Sequence, residues 1–155
     1  MISKWIEHLD EWAESGDLAL VKVKALLQSD TLNPTKLREL ADEPQKGQYV
    51  RQVLHHHDGY ELVLLRWGAG SETLTHDHGC AGTRGAVLIV DGMVGNRVFS
   101  EKDGKLTFHR SFDVPAGDVL TFGPGLIHQM VNAQPDKESM SIHVYFPCLE
   151  QVTYF

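Results

Sequence analysis

His76-Asp77-His78 places two imidazoles at alternate positions of an extended segment, and therefore on one face of it. That spacing lets both rings reach one cation, although on its own the pattern reads more plainly as two surface histidines. Near the end of the chain Ser139, Ser141, His143 and Tyr145 alternate with Met140, Ile142 and Val144. Period two sends the polar four to one face and the apolar three to the other, and one face must be core. The polar face suits solvent. It equally suits a hydrogen-bonded relay facing an interior, with Ser141 orienting His143 and His143 orienting the Tyr145 hydroxyl. Arg51 stands in a β-rich run, where its planar guanidinium either binds a carboxylate through two hydrogen bonds or sits exposed on a strand.

Most of the nine histidines call for plainer roles. His8 falls on a helical stretch and reads as exposed, and His109, next to Phe108, reads as surface. His55, His56 and His57 adjoin the Asp58-Gly59 turn. Adjacent strand residues point to opposite faces, so the three do not converge on one ion and read as solvated hairpin residues.

The elements that must position these groups follow from periodicity. Residues 1 to about 45 are expected to be helical: Trp5, Ile6, Leu9 and Trp12 keep helical spacing, as do Leu20, Val23, Leu26 and Leu27. Asn33-Pro34 suits an N-cap followed by a first-turn proline, and Pro44 and Gly47 close the segment. From residue 48 short β-rich runs take over: 49–56, 60–67, 85–90, 93–100, 106–114, 119–122 and 139–146. His128 starts a further strand after the Gly123-Pro124-Gly125 break. Asp58-Gly59, Asp91-Gly92 and Asp103-Gly104 read as hairpin dipeptides. Many short strands with regular turns and no intervening helices indicate a sandwich or barrel, mainly β, with the helical apolar stripes packed on its outside. Neither an internal repeat nor a second domain is evident, so residues 1–155 read as a single domain.

The formal net charge of -7, from 14 basic and 21 acidic residues, argues against a nucleic-acid or anionic-membrane surface. No apolar run reaches the ~20 residues of a membrane span. The acids in the first residues do not suit a signal peptide. Two cysteines, Cys80 and Cys148, make no disulfide framework. A cytoplasmic protein is expected.

Gly70, His76-Asp77-His78, Gly92 and His128 follow the order of the cupin metal motifs, which the chain resembles; the resemblance implies a jelly-roll β-barrel. The glutamate usual after the histidine pair is missing from 79–84. The site would then hold three neutral imidazoles, with open positions and an attraction for an anionic ligand such as a thiolate. Adding Tyr49-Val50-Arg51, Trp67-Gly68-Ala69-Gly70, Ile127-His128 and Ser141-Ile142-His143-Val144-Tyr145, residues 49–147 look like the cysteine dioxygenase family of thiol dioxygenases.

That resemblance implies that His76, His78 and His128 hold Fe(II). It implies that Ser141, His143 and Tyr145 form the supporting triad, and that Arg51, with Tyr49 close by, pairs with the substrate carboxylate. The expected reaction oxidises a small carboxylated thiol with O₂ to its sulfinic acid. Relatives selective for 3-mercaptopropionate tend to carry glutamine at the arginine position, so Arg51 leans toward L-cysteine, with 3-mercaptopropionate and mercaptosuccinate as alternatives. Another iron-dependent dioxygenase, or a non-enzymatic ligand-binding cupin, would share the three histidines. Three departures from the family are visible. The stretch from His78 to Gly92 is about two residues longer than usual. Gly85, not Cys80, falls where some members carry a cysteine linked to the tyrosine, so no thioether is expected. Phe146-Pro147-Cys148 replaces Ser-Pro-Pro, where the resemblance allows a cis Phe146-Pro147 bond. Monomer and homo-oligomer are both compatible with the sequence.

Overall fold

The computed structural model describes residues 2–155. Helices α1 (Ile2–Ser15), α2 (Leu20–Gln28) and α3 (Pro34–Arg38) precede eight strands. The strands are β1 (Tyr49–His57), β2 (Tyr60–Trp67), β3 (Arg84–Asp91), β4 (Met93–Lys102), β5 (Lys105–Pro115), β6 (Val119–Phe122), β7 (Ile127–Asn132) and β8 (Ser139–Phe146). The Asn33 side chain accepts hydrogen bonds from the backbone N–H groups of Thr35 and Lys36 and so caps α3 as expected.

The strands form a five-stranded sheet, β1-β2-β8-β3-β6, and a three-stranded sheet, β5-β4-β7, with every pairing antiparallel. Hydrogen bonding does not run continuously around the two sheets, so the fold is mainly β as expected but is not closed into the barrel that the resemblance implies. Asp103 and Gly104, with φ of 52° and 78°, make a tight hairpin between β4 and β5, as the dipeptide predicts. Asp91-Gly92 does not. β3 and β4 belong to different sheets, and a register shift between Ile89 and Asp91 carries the chain from one to the other.

Each sheet face is chosen by the alternating pattern. Leu62, Leu64, Met140, Ile142 and Val144 point outward from the larger sheet and pack against Trp5, Leu9, Val23 and Leu27 of the helices. Each such burial is worth roughly 1.5–3 kcal/mol. Val63, Leu65, Trp67, Val87, Ile89 and Tyr145 point inward, where Val94 and Met130 of the smaller sheet meet them. Arg66 pins the helical segment to this scaffold, donating to both oxygens of Glu138 at 2.6 and 3.1 Å and to the carbonyls of Arg38 and Ala41.

The segment 71–78 is not a regular strand, yet it runs antiparallel along β7. Thr73 donates to the Met130 carbonyl and Asn132 to the Ser71 carbonyl. His76 and His128 exchange both backbone hydrogen bonds at 2.9 Å. The same segment is fastened on its other side by the chain end, through Asp77 N–H to the Thr153 carbonyl and Cys80 N–H to the Glu150 carbonyl. Gly79 makes this possible: its φ is +88°, and a Cβ there would overlap the Glu150 carbonyl. Gly79→Ala should therefore lower stability by about 1–3 kcal/mol. Urea unfolding would show this as a lower midpoint at unchanged slope, whereas an unchanged midpoint would mean that the turn is not under this constraint.

Candidate metal centre

His76, His78 and His128 come together, with their ligand-capable nitrogens within 4.8 Å of one another. The backbone pairing of residue 76 with residue 128 aligns those two rings, whose centroids lie 4.8 Å apart. The two-residue step brings His78 to the same face, 4.7 Å from His128. His78 and His128 are buried, and Phe122 stacks on His78 at 4.2 Å.

The tautomers follow from the partners. His76 Nδ1–H donates to the Leu74 carbonyl at 2.7 Å, and His128 Nδ1–H donates to Asn96 Oδ1 at 2.7 Å. Both rings are thus left with an Nε2 lone pair facing the cluster, the arrangement by which metal-bound imidazoles are held. His128 Nε2 lies 3.1 Å from His78 Nε2, and His78 Nδ1 is buried without a partner. Burial, and then the neighbouring imidazoles for His78 and His128, pushes the rings below the ordinary histidine value, His78 to about 4. Three converging imidazoles disfavoured from carrying charge, two of them with the Nε2 lone pair fixed by an acceptor on the far nitrogen, fit a divalent transition metal.

The predicted polar face of β8 is fully interior. Ser139, Ser141, His143 and Tyr145 are all buried, as are the apolar residues between them, so solvent is excluded from both sides of this central strand. Trp67 Nε1–H donates to Ser141 Oγ at 2.9 Å. Ser141 lies 2.7 Å from His143 Nε2, and His143 Nδ1 lies 2.9 Å from the Tyr145 hydroxyl. Indole only donates. If Ser141 then donates to Nε2, His143 Nδ1–H donates to the tyrosine oxygen, and every hydrogen in the buried chain has an acceptor. The Tyr145 O–H is left to point into the cavity. Burial, then the positive charge of Arg51, lowers His143 to about 3, and burial raises Tyr145.

Arg51 and Tyr49 line the same cavity of about 270 Å³ as His76, His78 and Tyr145. Arg51 sits at its open side, 40% exposed, with Nη2 3.5 Å from Glu61 Oε2. Tyr49 packs on Trp67. Four residues that close the pocket carry no signal of their own in the sequence: Leu65 of β2 and Leu149, Val152 and Tyr154 from the chain end. Asn96 and Trp67 are equally unmarked as partners of His128 and Ser141. Their donor and acceptor roles depend on contacts across 32 and 74 residues of chain.

Gly85 pairs with Tyr145 across β3 and β8, and Cys80 is exposed with Sγ 3.3 Å from Gln151 Oε1. A glycine therefore stands opposite the tyrosine, where a cysteine would be needed for a link to it. The Phe146-Pro147 bond is cis. His8 and His109 are exposed. Of the histidine triplet, His55 and His57 turn toward Asp10 and Glu14 of α1, while His56 faces Glu61.

A family model described as cysteine dioxygenase type I matches residues 3–155. Among solved structures, the chain is similar to a conserved protein with a double-stranded β-helix domain from Klebsiella pneumoniae subsp. pneumoniae (TM-score 0.55, 18% identity, 81% of this chain and 96% of that one). It is also similar to the protein TT1209 from Thermus thermophilus (0.57, 15%, 77% and 99%). A cupin superfamily protein from Desulfitobacterium hafniense matches as well (0.50, 17%, 68% and 83%). At these identities the structures establish the fold.

Burial of neutral imidazoles has a measurable consequence. In the folded, metal-free protein His78 and His143 titrate at about 4 and about 3, whereas histidines of an unfolded chain titrate near 6.5. Between roughly pH 4 and 6.5 the unfolded state binds more protons, so stability falls as pH falls, by up to about 1.4 kcal/mol per pH unit for each histidine. Urea midpoints of chelator-treated protein at neutral and mildly acidic pH would show the slope, and His143→Gln should flatten it. Equal slopes for the two proteins would contradict burial of His143 in its neutral form.

Proposed function

Because the chain belongs to the cysteine dioxygenase type I family, we propose that it is an Fe(II)-dependent thiol dioxygenase whose substrate is a small carboxylated thiol, L-cysteine foremost. The observation that carries this reading is the meeting of three imidazoles, two of which, His76 and His78, line a cavity shared with Arg51 and Tyr145. His76, His78 and His128 are the residues that would hold the metal. Fe(II) bound there would supply the chemistry by which O₂ adds both its atoms to the thiol sulfur, RSH + O₂ giving RSO₂H.

The chain's own groups bind and orient. Arg51 takes the substrate carboxylate. Its contact with Glu61 is long for a charge-assisted hydrogen bond and leaves most of the fork free. That anchor holds the thiol end toward the histidines, and the small volume limits the substrate to a few heavy atoms beyond the thiol and carboxylate. Tyr145 donates its free hydroxyl hydrogen to negative charge on the reacting sulfur or oxygen. His143, neutral and fixed by Ser141 and Trp67, holds the tyrosine oxygen in place without taking its proton. Tyr49 and Tyr154 line the same cavity.

Iron-loaded protein should consume O₂ with L-cysteine and form its sulfinic acid. A parallel panel of 3-mercaptopropionate and mercaptosuccinate ranks the substrates, and absence of uptake with every thiol defeats the reading. Arg51→Gln should raise KM for the preferred carboxylated thiol roughly tenfold or more. An unchanged KM would remove Arg51 from the substrate contact while leaving the metal site standing.

A further inference from the structure

A second cluster of metal-ligating side chains lies at the tip of the β1–β2 hairpin. His56, Glu61 and Cys148 place their ligand atoms within 4.8 Å of one another, with His56 Nδ1 3.3 Å from Glu61 Oε1. Three separate features of the chain produce this meeting. The register shift between Val53 and His55 reverses which residues of β1 face inward, so that His56 pairs directly with Glu61. Glu61 pairs in turn with Tyr145 of β8. Three residues later Cys148 returns over the hairpin, its thiol hydrogen-bonded to the His57 carbonyl at 3.2 Å. A His56–Glu61 ion pair would account for two of these groups, but not for a thiol from a distant segment beside them.

We propose that His56, Glu61 and Cys148 bind a borderline-soft divalent cation of the zinc type, separate from the three-histidine centre. One thiolate, one imidazole and one carboxylate suit a tetrahedral ion that completes its coordination with water, and exclude calcium or magnesium, which require a mainly oxygen shell. The accessible side of His56 gives the ion an entry path. The two carboxylate oxygens have different neighbours: Oε1 faces His56, whereas Oε2 faces Arg51. The ion therefore takes Oε1 and leaves the arginine contact in place. Binding releases the Cys148 thiol proton to solvent and ties the hairpin to the segment leaving β8.

Cobalt(II) is the probe, because thiolate ligation gives a near-ultraviolet charge-transfer band that an all-histidine site cannot produce. Titrating full-length, metal-free protein with Co²⁺ should give that band. Cys148→Ser should abolish it and lower cobalt uptake by one equivalent, Cys80→Ser should keep it, and His56→Ala should weaken the cobalt affinity of the band at least tenfold. Circular dichroism checks that the variants fold, and all three substituted positions are at least partly exposed. A missing band, or one that survives Cys148→Ser, overturns the proposal, leaving a surface ion pair beside a thiol. Neither result bears on thiol oxidation at the three-histidine centre, which oxygen uptake reads separately.

Discussion

Two backbone hydrogen bonds between His76 and His128 set the geometry on which the site depends. The segment carrying His76 and His78 lacks the regular ladder of a strand, so only its pairing with β7 and its contacts to the chain end hold it. A directly opposed antiparallel pair sends its side chains to the same face at close range, and a further two-residue step repeats that direction. Three imidazoles from two remote stretches of sequence thereby meet. The cost is desolvation, which disfavours the charged form of each ring. That cost keeps their lone pairs available, because a protonated imidazole is not a ligand.

The same logic governs β8. A central strand buried on both faces leaves no water for polar side chains, so each inward-facing group must find its partner within the protein. Trp67 takes one lone pair of the Ser141 hydroxyl, since an indole can only donate, and when Ser141 in turn donates to His143 the free hydrogen of the chain is that of Tyr145. A buried network of this kind stabilises only when complete, and here completion also fixes the orientation of one hydroxyl facing the cavity. Stability and positioning are a single property of the strand.

Much of this was legible in the residues. Period two in β8 separates the polar relay from the apolar face packed on the helices, and its limits agree with the observed strand, as do those of β2 and β6. The spacing of His76 and His78 marks them as neighbours. Other features depend on pairing across the fold and leave no local trace. Asn96 carries no signature that distinguishes it from any strand asparagine until β4 lies beside β7. Leu149, Val152 and Tyr154 become pocket walls only because residues 150–155 turn back along 75–80. The Asp91-Gly92 dipeptide has the composition of a hairpin, but the next strand continues into the other sheet. The bulge in β1 is equally silent, although it alone decides that His56, and not His55, shares a face with Glu61.

The exposure of Arg51 follows from the charge balance of the cavity. A guanidinium cannot lose its charge, so full burial beside neutral imidazoles would require a permanently buried counter-ion. At the rim it keeps part of its hydration, and Glu61 partly offsets its field. From there its positive charge still reaches inward: it helps to keep His143 unprotonated and opposes the rise that burial imposes on Tyr145. An anion entering beside Arg51 weakens both effects while neutralising the guanidinium. The same side chain that would recognise a carboxylate therefore also sets the electrostatic state of the relay behind it. A neutral glutamine in its place would alter the cavity's potential as well as its contacts.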